Sequence, residues 1–234
     1  MKHIILAGDS VFDNQRYVPG EPDVSNQLQG LMDEGDKVSL LAVDGHVINN
    51  VEGQLRNLPK DTTHLVISVG GNNTIRILNE LSRATRNIGD GFLKFHDLRE
   101  SFESDYIEML TNALSFNIPT TLCTIYHPCF NHSDMERVSD YMEYGVKSET
   151  IQKMAMTALP IFNDIIFQEA VNFNLPVIDL RLIFNDKSDY ANPIEPSAIG
   201  GLKMAKVIKK VVYEDDFSSN NTKDLRESFE SDYI

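Results

Sequence analysis

Ile4-Ile5-Leu6-Ala7-Gly8-Asp9-Ser10 decides how the chain is read. Four consecutive apolar residues suit a strand covered on both faces, as in a parallel sheet. Gly8-Asp9-Ser10 follows at once and reads as the loop leaving that strand's C-terminal end. Ligand sites of open α/β sheets lie at that edge. Ser10, the hydroxyl of this loop, is therefore a candidate nucleophile. Asp9 reads as a brace that holds the loop by hydrogen bonds.

Outward from this stretch, apolar β-branched runs alternate with helix-like segments. Strands are expected near 3–7, 37–43, 64–69, 118–124 and 175–179. Helical patterns lie near 22–34, 49–57, 73–85, 97–116 and 149–173. A last helix is expected to start at Pro196, a residue favoured at the first helical position, and to run to about residue 213. Strand–helix alternation of this kind implies a doubly wound parallel sheet.

The 234 residues suffice for one large α/β domain, placed at 1–214. The apolar stretch at Met1–Gly8 is too short for a secretory leader, and Asp9 ends it. A strand and a cytoplasmic location are the expectation. No run is long enough to span a membrane. Acidic residues outnumber basic ones, 35 to 21, which disfavours nucleic acid and anionic membranes as partners. Lys203, Lys206, Lys209 and Lys210 read as the solvated face and last turn of the final helix. Cys123 reads as a core thiol, with no bridge to Cys129 expected. No Cys/His spacing suggests zinc, and the spacing of acidic residues such as Asp186 and Asp189 supports no metal. No metal and no cofactor are expected.

The tail, 215–234, is a polar linker followed by Asp224–Ile234, which repeats Asp97–Ile107 over eleven residues. Leu98, Phe102 and Tyr106, and likewise Leu225, Phe229 and Tyr233, recur every four residues and form one apolar stripe if helical. The repeat reads either as a recent duplication with a frayed end or as a means of self-association, the tail competing for the groove of the first copy.

Two further loops follow strands. In Ala42-Val43-Asp44-Gly45-His46, Gly45 can turn its N–H toward a neighbouring loop. In Val69-Gly70-Gly71-Asn72-Asn73, Asn72 offers an amide donor. With the Ser10 N–H these make a candidate three-donor oxyanion hole.

These blocks resemble the SGNH (GDSL-type) hydrolase family over residues 1–213. Gly8-Asp9-Ser10 is similar to its first block, Gly45 to its second, and Gly70-Gly71-Asn72-Asn73 to its third, with Asn73 where the family has Asp. The resemblance implies a three-layer α/β/α, flavodoxin-like fold with a five-stranded parallel sheet. It also implies hydrolysis of a small-molecule ester through an acyl-enzyme on Ser10.

The family's Asp-x-x-His block is matched by Asn192-Pro193-Ile194-Glu195, so Asn192 stands in place of Asp and Glu195 in place of His. Glu195 then has two readings. It is a base for Ser10, oriented by a hydrogen bond that the Asn192 amide donates to its carboxylate, and active at mildly acidic pH. Alternatively it is a carboxylate favoured by the last helix's N-terminus. His127 and His46, in loops after strands, are alternative bases; His3, His64, His96 and His132 read as structural or exposed. The competing function is a catalytically impaired domain that binds an acyl or carbohydrate ligand. A further one is an interaction protein in which the duplicated segments matter most.

Overall fold

The computed structural model describes residues 1–81, 84–130 and 147–214. Its strands are β1 (His3–Gly8), β2 (Lys37–Leu40), β3 (His64–Ser68), β4 (Thr120–Cys123) and β5 (Val177–Ile178). All pairings are parallel, in the order β2-β1-β3-β4-β5. This is the five-stranded parallel sheet and flavodoxin-like order expected. The order reverses between β1 and β3, so the crevice of the fold opens beyond their C-terminal ends.

The helices are α1 (Val24–Leu31), α2 (Val51–Leu55), α3 (Gly71–Leu81), α4 (Ile88–Leu114), α5 (Ser148–Phe173) and α6 (Ala198–Glu214). Alternate residues of a strand face opposite sides, and β1 feeds two cores accordingly. Ile5 and Ala7 join Leu55 of α2, Phe102 and Tyr106 of α4, and Phe162 and Ile166 of α5. Ile4 and Leu6 join Val24 and Leu28 of α1 and Met204 and Ile208 of α6. The first copy of the repeated segment thus lies inside α4. Its Phe102 ring is 5.1 Å from Phe162 and stacks on Tyr106 at 5.8 Å. The second copy and the whole tail lie outside the described residues.

Capping residues account for most boundary differences. The Asp23 side chain accepts from the Asn26 N–H, so α1 begins later than its apolar pattern. The Asn87 side chain accepts from the Asp90 N–H and starts α4 about ten residues ahead of position 97. The Ser197 side chain accepts from the Gly200 N–H at 3.2 Å. Ser197 is therefore the cap of α6, and Pro196 precedes the helix instead of opening it.

The basic face of α6 is only partly solvated. Lys203 pairs with the buried Asp189 at 2.7 Å, and Lys209 donates to the Leu31 carbonyl at 2.6 Å. Lys206 and Lys210 are exposed. Cys123 and Cys129 are not joined in a disulfide, and Cys123 is buried. Among the described residues no helix is long and apolar enough to cross a membrane.

Candidate active site

Gly8 closes β1 at φ +134°, and a Cβ there would lie 1.8 Å from the Ser68 carbonyl oxygen. Only glycine permits β1 and β3 to approach this closely at the crevice. The turn that follows is wound tightly. The Asp9 carbonyl accepts from the Phe12 and Asp13 N–H groups, and its Oδ1 accepts from the Val11 N–H at 3.1 Å. Asp9 is thus the brace the sequence suggested. Ser10 projects from this turn and is 7% exposed.

Ser10 Oγ donates to Glu195 Oε1 at 3.1 Å. Glu195 is 4% exposed, and its Oε2 has no hydrogen-bond partner. Burial raises its pKa from 4.5 to about 8. The Ser10 hydrogen bond works in the opposite direction, and the charges of Asp9 and Asp44 add to the rise. Asp9 is raised to about 7, first by burial and then by Asp44 against the pull of the Val11 N–H. A lowering of Glu195 by the α6 N-terminus is therefore outweighed. A mildly acidic optimum does not fit this environment either, because the carboxylate form of Glu195 dominates only above about pH 8.

Asn192 holds Glu195 differently from the expected hydrogen bond from its amide to the carboxylate. Its Oδ1 accepts from the Ile194 and Glu195 N–H groups, both at 3.0 Å, and no bond joins its amide to the carboxylate. It fixes the backbone that carries Glu195, and as an amide it adds no third charge beside two carboxyl groups. Two more contacts hold this segment. Tyr126 Oη donates to the Ile194 carbonyl at 2.5 Å, and Asn14 Nδ2 donates to the Pro196 carbonyl at 3.1 Å.

Asn72 Nδ2, in the first turn of α3, donates to the His46 carbonyl at 2.8 Å. The Gly45–His46 loop is thereby tied to the loop after β3. Gly45 is exposed at φ +81° and lies one residue from that carbonyl, outside the lining of the cavity described below.

Gln54, on α2, is a site residue that the sequence did not disclose. Its Oε1 accepts from the Gly8 N–H at 2.8 Å, and its Nε2 donates to the Gly8 carbonyl at 2.7 Å and to His46 Nδ1 at 2.9 Å. The Gly8 N–H fixes which end of the amide is oxygen, so His46 Nδ1 accepts. In the neutral ring Nε2 then carries the proton and offers no lone pair to Ser10. His127 follows β4, and burial lowers its pKa. Tyr190 Oη donates to its carbonyl at 2.7 Å. Neither histidine lines the cavity with Ser10, whereas Glu195 does.

That cavity, about 70 Å³, sits at the crevice. Asp9, Ser10, Asn72 and Glu195 form its polar end. Ile75 and Ile77 of α3, Phe130, and Leu159 and Phe162 of α5 make its apolar wall. Among the described residues no group of three or more His, Cys, Asp or Glu side chains is placed to hold a metal ion.

No protein-family model matches the chain, and no curated protein matches it. Solved structures do. A lipase from a goat rumen metagenome superposes with a TM-score of 0.65 at 17% identity, over 91% of this chain and 98% of that one. A G-D-S-L lipolytic family member from Veillonella parvula gives 0.58 at 15% identity, over 92% and 100%. The fold is that of the GDSL-type lipolytic proteins. A phospholipase A1 from Streptomyces albidoflavus, at 0.61 and 11% identity over 89% and 98%, shares this GDSL-type fold. In this chain the GDSL-type fold places Ser10 and Asn72 at the switch point and brings Glu195 in from the segment before α6.

Proposed function

We propose that this chain hydrolyses carboxylic esters through an acyl-enzyme on Ser10, with Glu195 as the proton acceptor. The observation that carries this reading is the 3.1 Å contact from Ser10 Oγ to Glu195 Oε1 at the polar end of an apolar slot. The distance is slightly long for O–H···O, as such contacts commonly are before substrate binds.

The acyl group enters the apolar slot, with its carbonyl toward Ser10. Ser10 Oγ attacks the carbonyl carbon as its proton passes to Glu195 Oε1. The oxyanion is met by the N–H of Ser10 and the remaining amide hydrogen of Asn72, while Gly45, outside the cavity lining, would join them only if its loop moved inward. As the ester C–O bond breaks, Glu195 returns the proton to the leaving alkoxide. Water then attacks the acyl-enzyme, with Glu195 again the base.

The raised pKa also supports a second reading. Well below pH 8 Glu195 is protonated, and the same slot binds an acyl ligand without turning it over. Fluorophosphonate labelling with mass mapping, together with aryl ester turnover, separates the two. The esterase reading expects label on Ser10 and a rate that climbs through about pH 8. Ser10→Ala should lose on the order of a thousandfold or more. Glu195→Gln should lose about a hundredfold or more. An unlabelled Ser10, with turnover no faster than in Ser10→Ala, rejects the esterase reading.

A further inference from the structure

At the opposite edge of the sheet from Ser10, His3 Nδ1 lies 2.9 Å from Asp61 Oδ1, and His3 Nε2 lies 2.8 Å from Ser39 Oγ. His3 opens β1 and Ser39 lies on β2, the edge strand. Ser39 is opposite Ile5 in the ladder, so Ser39 and His3 share the face to which Ile5 points. Ser39 is level with Ile5, so the five-residue climb to Ser10 separates the two hydroxyl sites by about 15 Å.

We infer that Ser39, His3 and Asp61 form a second activated serine, one that accepts an acyl or phosphonyl group from small electrophiles such as activated esters and fluorophosphonates.

The direction of each bond follows from the donors present. The Asp61 carboxylate only accepts, and hydrogen bonds from His3 and then Lys37 hold its pKa below the usual range. The Nδ1 facing it therefore carries the ring proton. In the neutral imidazole Nε2 is then the acceptor, and Ser39 Oγ–H donates to it. This is the order a serine nucleophile needs: hydroxyl, base, and a carboxylate that sets the tautomer. Lys37 Nζ, 3.2 Å from Asp61 Oδ2, keeps that carboxylate in place.

Access distinguishes the three from a satisfied core histidine. The Asp61 side chain is 58% exposed, and Ser39 is half-buried on the edge strand, whose outward N–H at Val38 donates to Gln29 of α1. With a fluorophosphonate, Ser39 Oγ bonds to phosphorus, the P–F bond breaks, fluoride leaves, and the hydroxyl proton goes to His3 Nε2. With an activated ester, Oγ bonds to the carbonyl carbon and the proton leaves with the displaced alcohol. The three residues supply the transfer step alone, so the reaction is a single slow transfer without turnover.

The test uses the full chain carrying Ser10→Ala, so that the other serine is silent. A fluorophosphonate probe is added and adducts are located by peptide mass mapping. The expected result is an adduct on Ser39 that forms at least tenfold more slowly in Asp61→Asn, where the amide no longer enforces the tautomer. Asp61 is at the surface, so that variant keeps the fold. Urea-denatured protein supplies a second comparison and should label at the level of an ordinary serine. No adduct on Ser39, equal rates with Asp61→Asn, or equal labelling after denaturation would each overturn the inference.

Discussion

Glu195 is more stable protonated than ionised inside this fold, and that has a sign. Its pKa is raised on folding from 4.5 to about 8, so the folded state holds this proton more tightly than the unfolded chain does. The contribution is fully present below about pH 4.5 and is lost as pH rises through about 8. Asp9, raised to about 7, acts in the same direction. At about 1.4 kcal/mol per unit of pKa, the loss for Glu195 is on the order of a few kcal/mol. Glu195→Gln cannot ionise. It should therefore melt several degrees above the wild type at pH 9 and close to it at pH 4. Thermal melts at the two pH values check this, and equal differences at both would mean the carboxyl is not the source. The variant that abolishes the proposed base is thus expected to be the sturdier protein.

At the scale of elements, the crevice depends on one side chain of α2. Gln54 satisfies both the N–H and the carbonyl of Gly8 at a buried position. Gln54→Ala leaves both groups without a partner, which costs about 2–4 kcal/mol. It also frees the His46 loop that Asn72 grips from the other side. The expected outcome is a lower urea midpoint together with reduced ester turnover. Turnover that survives a stability loss of that size would show that the clamp serves only the fold.

The same elements show what was legible in the sequence and what was not. Strands read well because β1 and β3 are buried on both faces and so are apolar at consecutive positions. The placing of Ser10 and Asn72 at the crevice was legible because glycine-rich turns follow those strands directly. Gln54 was hidden, since a lone glutamine among Val51 and Leu55 looks like any polar residue of an amphipathic helix. Asn14 was hidden for the same reason, as its partner Pro196 is 182 positions away. The start of α4 was missed because its first turns, with Ile88, Phe92 and Leu93 exposed, lack the buried stripe that marks a helix. The manner in which Asn192 acts needed the backbone turn itself, because the letters alone permit either end of its amide to face Glu195.

For the whole molecule, the repeated segment makes a concentration-dependent statement. The first copy buries Phe102 and Tyr106 beneath α5 and α2. If a second stripe of the same sequence takes that place in a neighbouring chain, removal of residues 215–234 shifts the elution volume to that of a monomer. Unchanged elution and unchanged turnover would discard self-association through the tail.

The hydrogen bond from Ser10 to Glu195 joins positions 185 residues apart, and Asn14 reaches Pro196 across nearly the same span. Contacts between such distant parts of a chain close late in folding, since the intervening loop must first be ordered. During refolding the β1–β3 core should regain its far-ultraviolet signal before the segment 192–214 docks. Fluorophosphonate reactivity at Ser10 is expected to lag behind that signal. A chain emerging during synthesis would therefore carry Ser10 long before Glu195 is made and can reach it.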